Sequence, residues 1–180
     1  TCMVRAFSAI DIEKEEVLHK LERAQRNLDL GFSAVSADKM HITLEFFQNI
    51  DQKQVSKIQQ ALENVEINPF NIELKGVGAF PSEDHIRVIW ADVRSEKIYK
   101  LHRQSKLHNV SSDNKHDFKP HITLLRVDNI SPRKKAKLKR TLKDHKQTSF
   151  GTVKVDKIKM FESSINQKSS TYSEISTHHL

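Results

Sequence analysis

A single cysteine, Cys2, stands in the 180 residues. One thiol cannot form an intrachain disulfide, a cysteine zinc site or a Cys-x-x-Cys redox pair, so a reducing, cytoplasmic setting is expected. Four glycines and four prolines are too few for a low-complexity or linker-rich chain. No apolar run approaches the ~18 residues that cross a bilayer, so no membrane contact is expected. Residues 1–11 lack the basic lead, apolar stretch and small-residue cleavage site of a secretion signal. Gly76 and Gly78 are separated by one residue, with neither the third glycine nor the lysine of a nucleotide-phosphate loop.

What the chain has in excess is positive charge. Thirty Lys and Arg against 23 Asp and Glu give a net charge of +7, and eight of the basic residues fall within Arg133–Lys146. A polyanionic partner fits that balance, with Lys134, Lys135, Lys137 and Arg140 as candidates to guide an RNA backbone. A solvated helix face would carry the same charges. The length suits one compact domain, expected as a monomer.

The chain is written twice. His-Ile-Thr-Leu occurs at 41–44 and again at 121–124. Asp51–Val65 reads as a helix with Val55, Ile58, Leu62 and Val65 on one face. Ser131–His145 reads as its counterpart, capped by Ser131 with Pro132 in its first turn. Ile72, Leu74, Val77 and Phe80 match Val153, Val155, Ile158 and Phe161 as strands, and residues 4–9 match 86–91. Helices Glu13–Leu28 and Glu96–Asn109 follow those two strands. Each copy, approximately 3–81 and 85–162, thus reads strand–helix–strand–helix–strand, and Thr171–Ser176 adds a final strand. The pattern predicts an α+β fold: a single bilobal domain of two pseudo-twofold units, with two antiparallel sheets facing a central cleft and helices outside.

Side chains alternate along a strand, so His41 and Thr43 share one face while Ile42 and Leu44 enter the core. His121, Thr123, Ile122 and Leu124 repeat the arrangement. Two imidazoles and two hydroxyls would then line one cleft near the pseudo-axis. In-line displacement at phosphorus needs a base for the nucleophile and an acid for the leaving oxygen. Histidine serves either role because both protonation states are populated near neutrality, and the threonine hydroxyls can hydrogen-bond the non-bridging oxygens. Structural histidines satisfied by carbonyls are the bland alternative. Two His and two Thr make a poor closed zinc site, so neither a metal nor another cofactor is expected.

With these residues in view, the sequence resembles the two-histidine phosphoesterase superfamily, defined by two His-x-Thr/Ser-x motifs. Within it the chain looks like the RNA 2',3'-cyclic phosphodiesterases, also named 2'-5' RNA ligases. The matching stretches are 4–10, 40–46, Gly76-Val77-Gly78-Ala79-Phe80-Pro81, 87–91 and Phe118-Lys119-Pro120-His121-Ile122-Thr123-Leu124-Leu125-Arg126. The resemblance implies a bilobal fold and metal-independent opening of 2',3'-cyclic phosphate ends of RNA, tRNA fragments among them, to 2'-phosphates. It maps His41 to the acid for the departing 3' oxygen and His121 to the base for water. It maps Thr43 and Thr123 to phosphate-holding hydroxyls and Arg126 to a phosphate or ribose contact. The family follows its first motif with a basic residue and a Leu-Gly pair. Here the run is Glu45-Phe46-Phe47-Gln48-Asn49, which leaves the entrance shape and base preference open. Phe47 has the parity of His41 and is a candidate for stacking on a base.

Two rival readings remain from sequence. One is chemistry at the same site in another direction: 2'-5' ligation, or hydrolysis of cyclic nucleotides. The other is a silent RNA- or nucleotide-binding module, which would not need a matched acid and base.

Overall fold

A computed structural model describes residues 3–107, 117–165 and 170–180. Along the chain run β1 (Val4–Asp11), α1 (Glu15–Leu28), β2 (Ser33–Ala34), a 3-10 turn (Ala37–Lys39), β3 (His41–Ile50), α2 (Gln52–Glu63) and β4 (Phe70–Pro81). Then come β5 (Ile86–Arg94), α3 (Glu96–Ser105), β6 (His121–Arg126), α4 (Pro132–Asp144), β7 (Ser149–Val155), β8 (Lys157–Ile165) and β9 (Ser170–His179). Residues 108 and 109, the expected end of α3, lie outside the described residues.

The helices start where local chemistry favours it. Asp51 accepts from the Gln54 backbone N–H while the Gln54 side chain accepts from the Asp51 N–H, a reciprocal capping box. Ser131 caps α4, with Pro132 in its first turn. Each helix buries one stripe: Val17, Leu21, Ala24 and Leu28 on α1, Val55, Ile58 and Leu62 on α2, Ile98 and Leu101 on α3, Leu138 and Leu142 on α4. α1 packs on β6 and β7 and touches α4; α2 packs on β9 and α3, and α3 on β3. β9 is docked on α2 by His178, whose Nδ1 lies 2.7 Å from Glu63 Oε2 and whose Nε2 lies 2.8 Å from Ser176 Oγ.

The two sheets expected from the duplication are joined into one. The order is β7-β4-β5-β6-β3-β1-β8-β9, antiparallel throughout, with β2 added at β6. The halves meet where β3 pairs β6, through the residue pair Ile42 and Ile122. Both side chains are fully buried, so the join is fastened on its core side. The copies are also interleaved. β4, from the first copy, lies between β5 and β7 of the second, and β8, from the second, pairs β1 of the first.

Both motif strands carry a β-bulge at the same place. On β3, Thr43 faces Ala9 and Glu45 faces Ser8, leaving Leu44 as the extra residue. On β6, Thr123 faces Trp90 and Leu125 faces Ile89, leaving Leu124. A bulge resets the alternation of side chains. Leu44 and Glu45 are therefore both buried, as are Leu124 and Leu125, and the residues after each bulge exchange faces.

Candidate active site

One cleft of about 780 Å³ is lined from eight strands: Arg5 and Phe7 of β1, Ser33 and Ala34 of β2, His41, Thr43 and Phe46 of β3, Phe80 of β4, Val88 of β5, His121, Thr123 and Arg126 of β6, Ser163 and Ile165 of β8, and Ser170 and Tyr172 of β9, with Val35, Ser36 and Lys39 completing it. Only a sheet curled around the cleft brings so many strands together. His41, Thr43, His121, Thr123 and Arg126 all meet there. Phe47 does not: it is 1% exposed in the core, because the Leu44 bulge turns it inward and sends Phe46 to the cleft instead. The equivalent bulge at Leu124 brings Arg126 to the cleft face. Sequence reasoning by strict alternation missed this. The consecutive apolar pair Leu124-Leu125, in a strand that otherwise alternates, was the available signal.

The two histidines are held alike. His41 Nδ1 lies 2.7 Å from the Lys39 carbonyl, and His121 Nδ1 lies 2.7 Å from the Lys119 carbonyl. A carbonyl only accepts, so each Nδ1 carries hydrogen and donates. In the neutral ring this leaves Nε2 as the free base. For His41 that nitrogen accepts from the Thr43 hydroxyl at 3.0 Å. The register through Ile42 and Ile122 places His41 towards Thr123 and Thr43 towards His121 on the cleft face. The two strands are joined through that one pair, and both histidines line the cleft.

Aromatic rings fix the imidazoles. Phe7 stacks on His41 with centroids 5.0 Å apart, and Tyr172 meets the same ring edge-on at 5.6 Å. Phe80 meets His121 edge-on at 4.9 Å, and Trp90 lies 6.1 Å away. Burial lowers the pKa of both histidines. At His41 the Lys39 carbonyl and the Asp11 carboxylate oppose that effect, while His121 and Arg126 reinforce it. At His121 the Lys119 carbonyl opposes it, and the charges of Lys119 and Arg126 reinforce it.

Among the described residues, no three His, Cys, Asp or Glu side chains are grouped as a metal site would require, and no helix is long and apolar enough to cross a membrane. On α4, two of the four candidate RNA contacts are engaged within the chain. Lys134 Nζ donates to the Leu30 carbonyl at 2.8 Å and Lys135 Nζ to the Asp84 carbonyl at 2.7 Å.

The model of one family, LigT-like phosphoesterase, matches this sequence twice, over residues 10–90 and 93–170. The chain belongs to that family. The double match falls on the two motif-bearing halves, so each half carries the family's pattern. Among LigT-like relatives, the RNA 2',3'-cyclic phosphodiesterase of Methanocaldococcus jannaschii is 29% identical over 96% of this chain and 98% of its own. The protein of the same name from Thermotoga maritima is 35% identical over 69% of this chain and 70% of its own. Among solved structures, TT0787 of Thermus thermophilus superimposes with a TM-score of 0.80 at 25% identity, covering 98% of this chain and 97% of that one.

Proposed function

We propose that this LigT-like phosphoesterase opens 2',3'-cyclic phosphate ends of RNA to 2'-phosphates, with His41 as general acid and His121 as general base. The observation that carries the reading is the Ile42–Ile122 pair, which sets the two His-x-Thr motifs side by side on one cleft. The names of the relatives agree with it. RNA ends, tRNA fragments among them, are the substrates; the enzyme acts as a cytoplasmic monomer and uses no metal.

Neutral His121 takes a proton from water at Nε2 as the oxygen attacks phosphorus. His41, protonated at Nε2, gives its proton to the departing O3' on the opposite side, and the phosphate stays on O2'. Protonation of His41 also ends its acceptance from Thr43, which frees that hydroxyl hydrogen for a non-bridging oxygen. Thr123 and Arg126 serve the same oxygens, where charge grows in the transition state. The carbonyls of Lys39 and Lys119 keep each reactive Nε2 aimed at the cleft. The four nucleoside 2',3'-cyclic phosphates, incubated with the protein in EDTA and analysed for product isomer, test the reading. 2'-Phosphates formed in chelator are expected. Formation of 3'-phosphates, or activity only on restoring a divalent ion, would replace it.

A further inference from the structure

The charges lining the cleft do not balance against a cyclic phosphate alone. The lining holds the cations Arg5, Lys39 and Arg126 and, among the described residues, no aspartate or glutamate. None of the three is in an ion pair among the described residues. A 2',3'-cyclic phosphate brings one negative charge, which Arg126, beside the motif, and a protonated His41 already meet. Two cations are left over.

Both surplus cations come from the chain around His41's strand: Lys39 leads into β3, and Arg5 stands on β1, which pairs with β3. Lys39 precedes His41 by two residues, and its Nζ donates to the Ser170 carbonyl at 2.9 Å, which uses one of three donors. The Arg5 guanidinium lies 5.2 Å over the ring of Phe46, and its Nε is enclosed with no acceptor. A cation–π contact of this kind steadies the head group without neutralising it.

The chemistry says what approaches His41. O3' must face His41 and water must face His121, so the terminal ribose sits on the His41 side. The chain leading into that ribose attaches through its 5' phosphodiester.

Resting on the activity proposed above, we infer that Arg5 and Lys39 form a subsite for the 5' phosphodiester of the terminal nucleotide, so that the enzyme selects oligonucleotide ends over mononucleotide cyclic phosphates. Charge-assisted contacts to phosphate are the strong kind, and a second phosphate adds a second salt-sensitive contact.

The test compares kcat/KM for a dinucleotide ending in a 2',3'-cyclic phosphate with that for the matching nucleoside 2',3'-cyclic phosphate, at low and high salt. The wild-type ratio is expected at about tenfold or more in low salt, shrinking as salt rises. Arg5→Met and Lys39→Met should each reduce the ratio, and the double variant should bring it close to one. Arg5→Lys should keep most of it, while Arg126→Met should slow the two substrates alike. A wild-type ratio near one, or a ratio that persists in the double variant, overturns the subsite. Where Arg5→Met does not fold, Lys39→Met and the salt dependence of the wild-type ratio decide. Failure of the wild type to hydrolyse either substrate removes the phosphodiesterase reading itself, and the subsite with it.

Discussion

Asp11 stands directly across the β1–β3 ladder from His41. Asp92 holds the equivalent place across from His121 on the β5–β6 ladder, yet the two carboxylates have different company. Asp92 lies 2.7 Å from Lys119 and 3.7 Å from Arg94. Asp11 meets Lys159 at 3.0 Å, and that lysine is shared with Glu13 at 3.4 Å and Glu174 at 3.6 Å. The Asp11 charge favours the protonated form of His41, whereas the Lys119 charge disfavours that of His121. On the proposed mechanism, that difference separates a near-symmetric pair into an acid and a base.

Asp11→Asn should therefore lower the fraction of His41 that holds its proton at neutral pH. On the proposed mechanism the basic limb of the kcat/KM profile moves to lower pH, with turnover at pH 8 falling a few-fold and turnover at pH 5.5 nearly unchanged. A pH–rate profile of the variant checks this. An unmoved basic limb would remove Asp11 from the account.

His41→Ala and His121→Ala should each cut turnover by ~10²–10⁴-fold, the scale of general acid–base catalysis. The double variant should lose far less than the product of the two, because one missing partner already disables the concerted step. RNA affinity, followed by fluorescence anisotropy, should change little. Retained hydrolysis with lost binding would make the pair a recognition element.

Phe46 and Phe47 should separate into different phenotypes. Phe47→Ala empties a core position and should cost roughly 3–5 kcal/mol, read from urea unfolding. Phe46→Ala should cost much less stability and instead raise KM, since its ring lines the cleft. Equal stability losses would contradict the bulge at Leu44.

Burial lowers the pKa of His41, His121 and His102, whereas in the unfolded chain each titrates near 6.5. Between those values the unfolded state binds more protons, so stability rises with pH there. Full stability is expected above about pH 6.5, with a loss as pH falls through the lowered folded-state values. Calorimetric melting at a series of pH values reads this, and His41→Gln with His121→Gln should flatten the slope. A melting temperature that rises on acidification through this range would show the sign to be wrong.

Periodicity was enough to place α1, α2 and α4 within about two residues at each end, and the repeated tetrapeptide identified the cleft face of His41, Thr43, His121 and Thr123. These properties are local: a 3.6-residue stripe, a cap, a two-residue alternation. Two features escaped because they are not local. The bulges depend on register against β1 and β5, and they decide that Phe46, not Phe47, reaches the cleft. The merging of two sheets into one depends on where β4 and β8 go after leaving their own copies. The sequence similarity between copies says nothing about which copy a strand pairs with. Arg5 escaped for a third reason: that it lines the cleft with no ion-pair partner among the described residues depends on the tertiary surroundings of β1.

The interleaving of β4 and β8 bears on how such a chain could have arisen from a single repeat. Severed between β4 and β5, the first segment would retain the β1–β3 pair, but β4 would lose both its neighbours, β5 and β7, and β2 would lose β6. The other segment would leave β7 without β4 and β8 without β1. Neither piece closes its own hydrogen-bond ladders, and each lacks one imidazole. A one-repeat ancestor of this architecture would have had to trade strands with its twin, sharing one cleft between two polypeptides. The linker between β4 and β5 keeps the two segments that exchange these strands in one molecule.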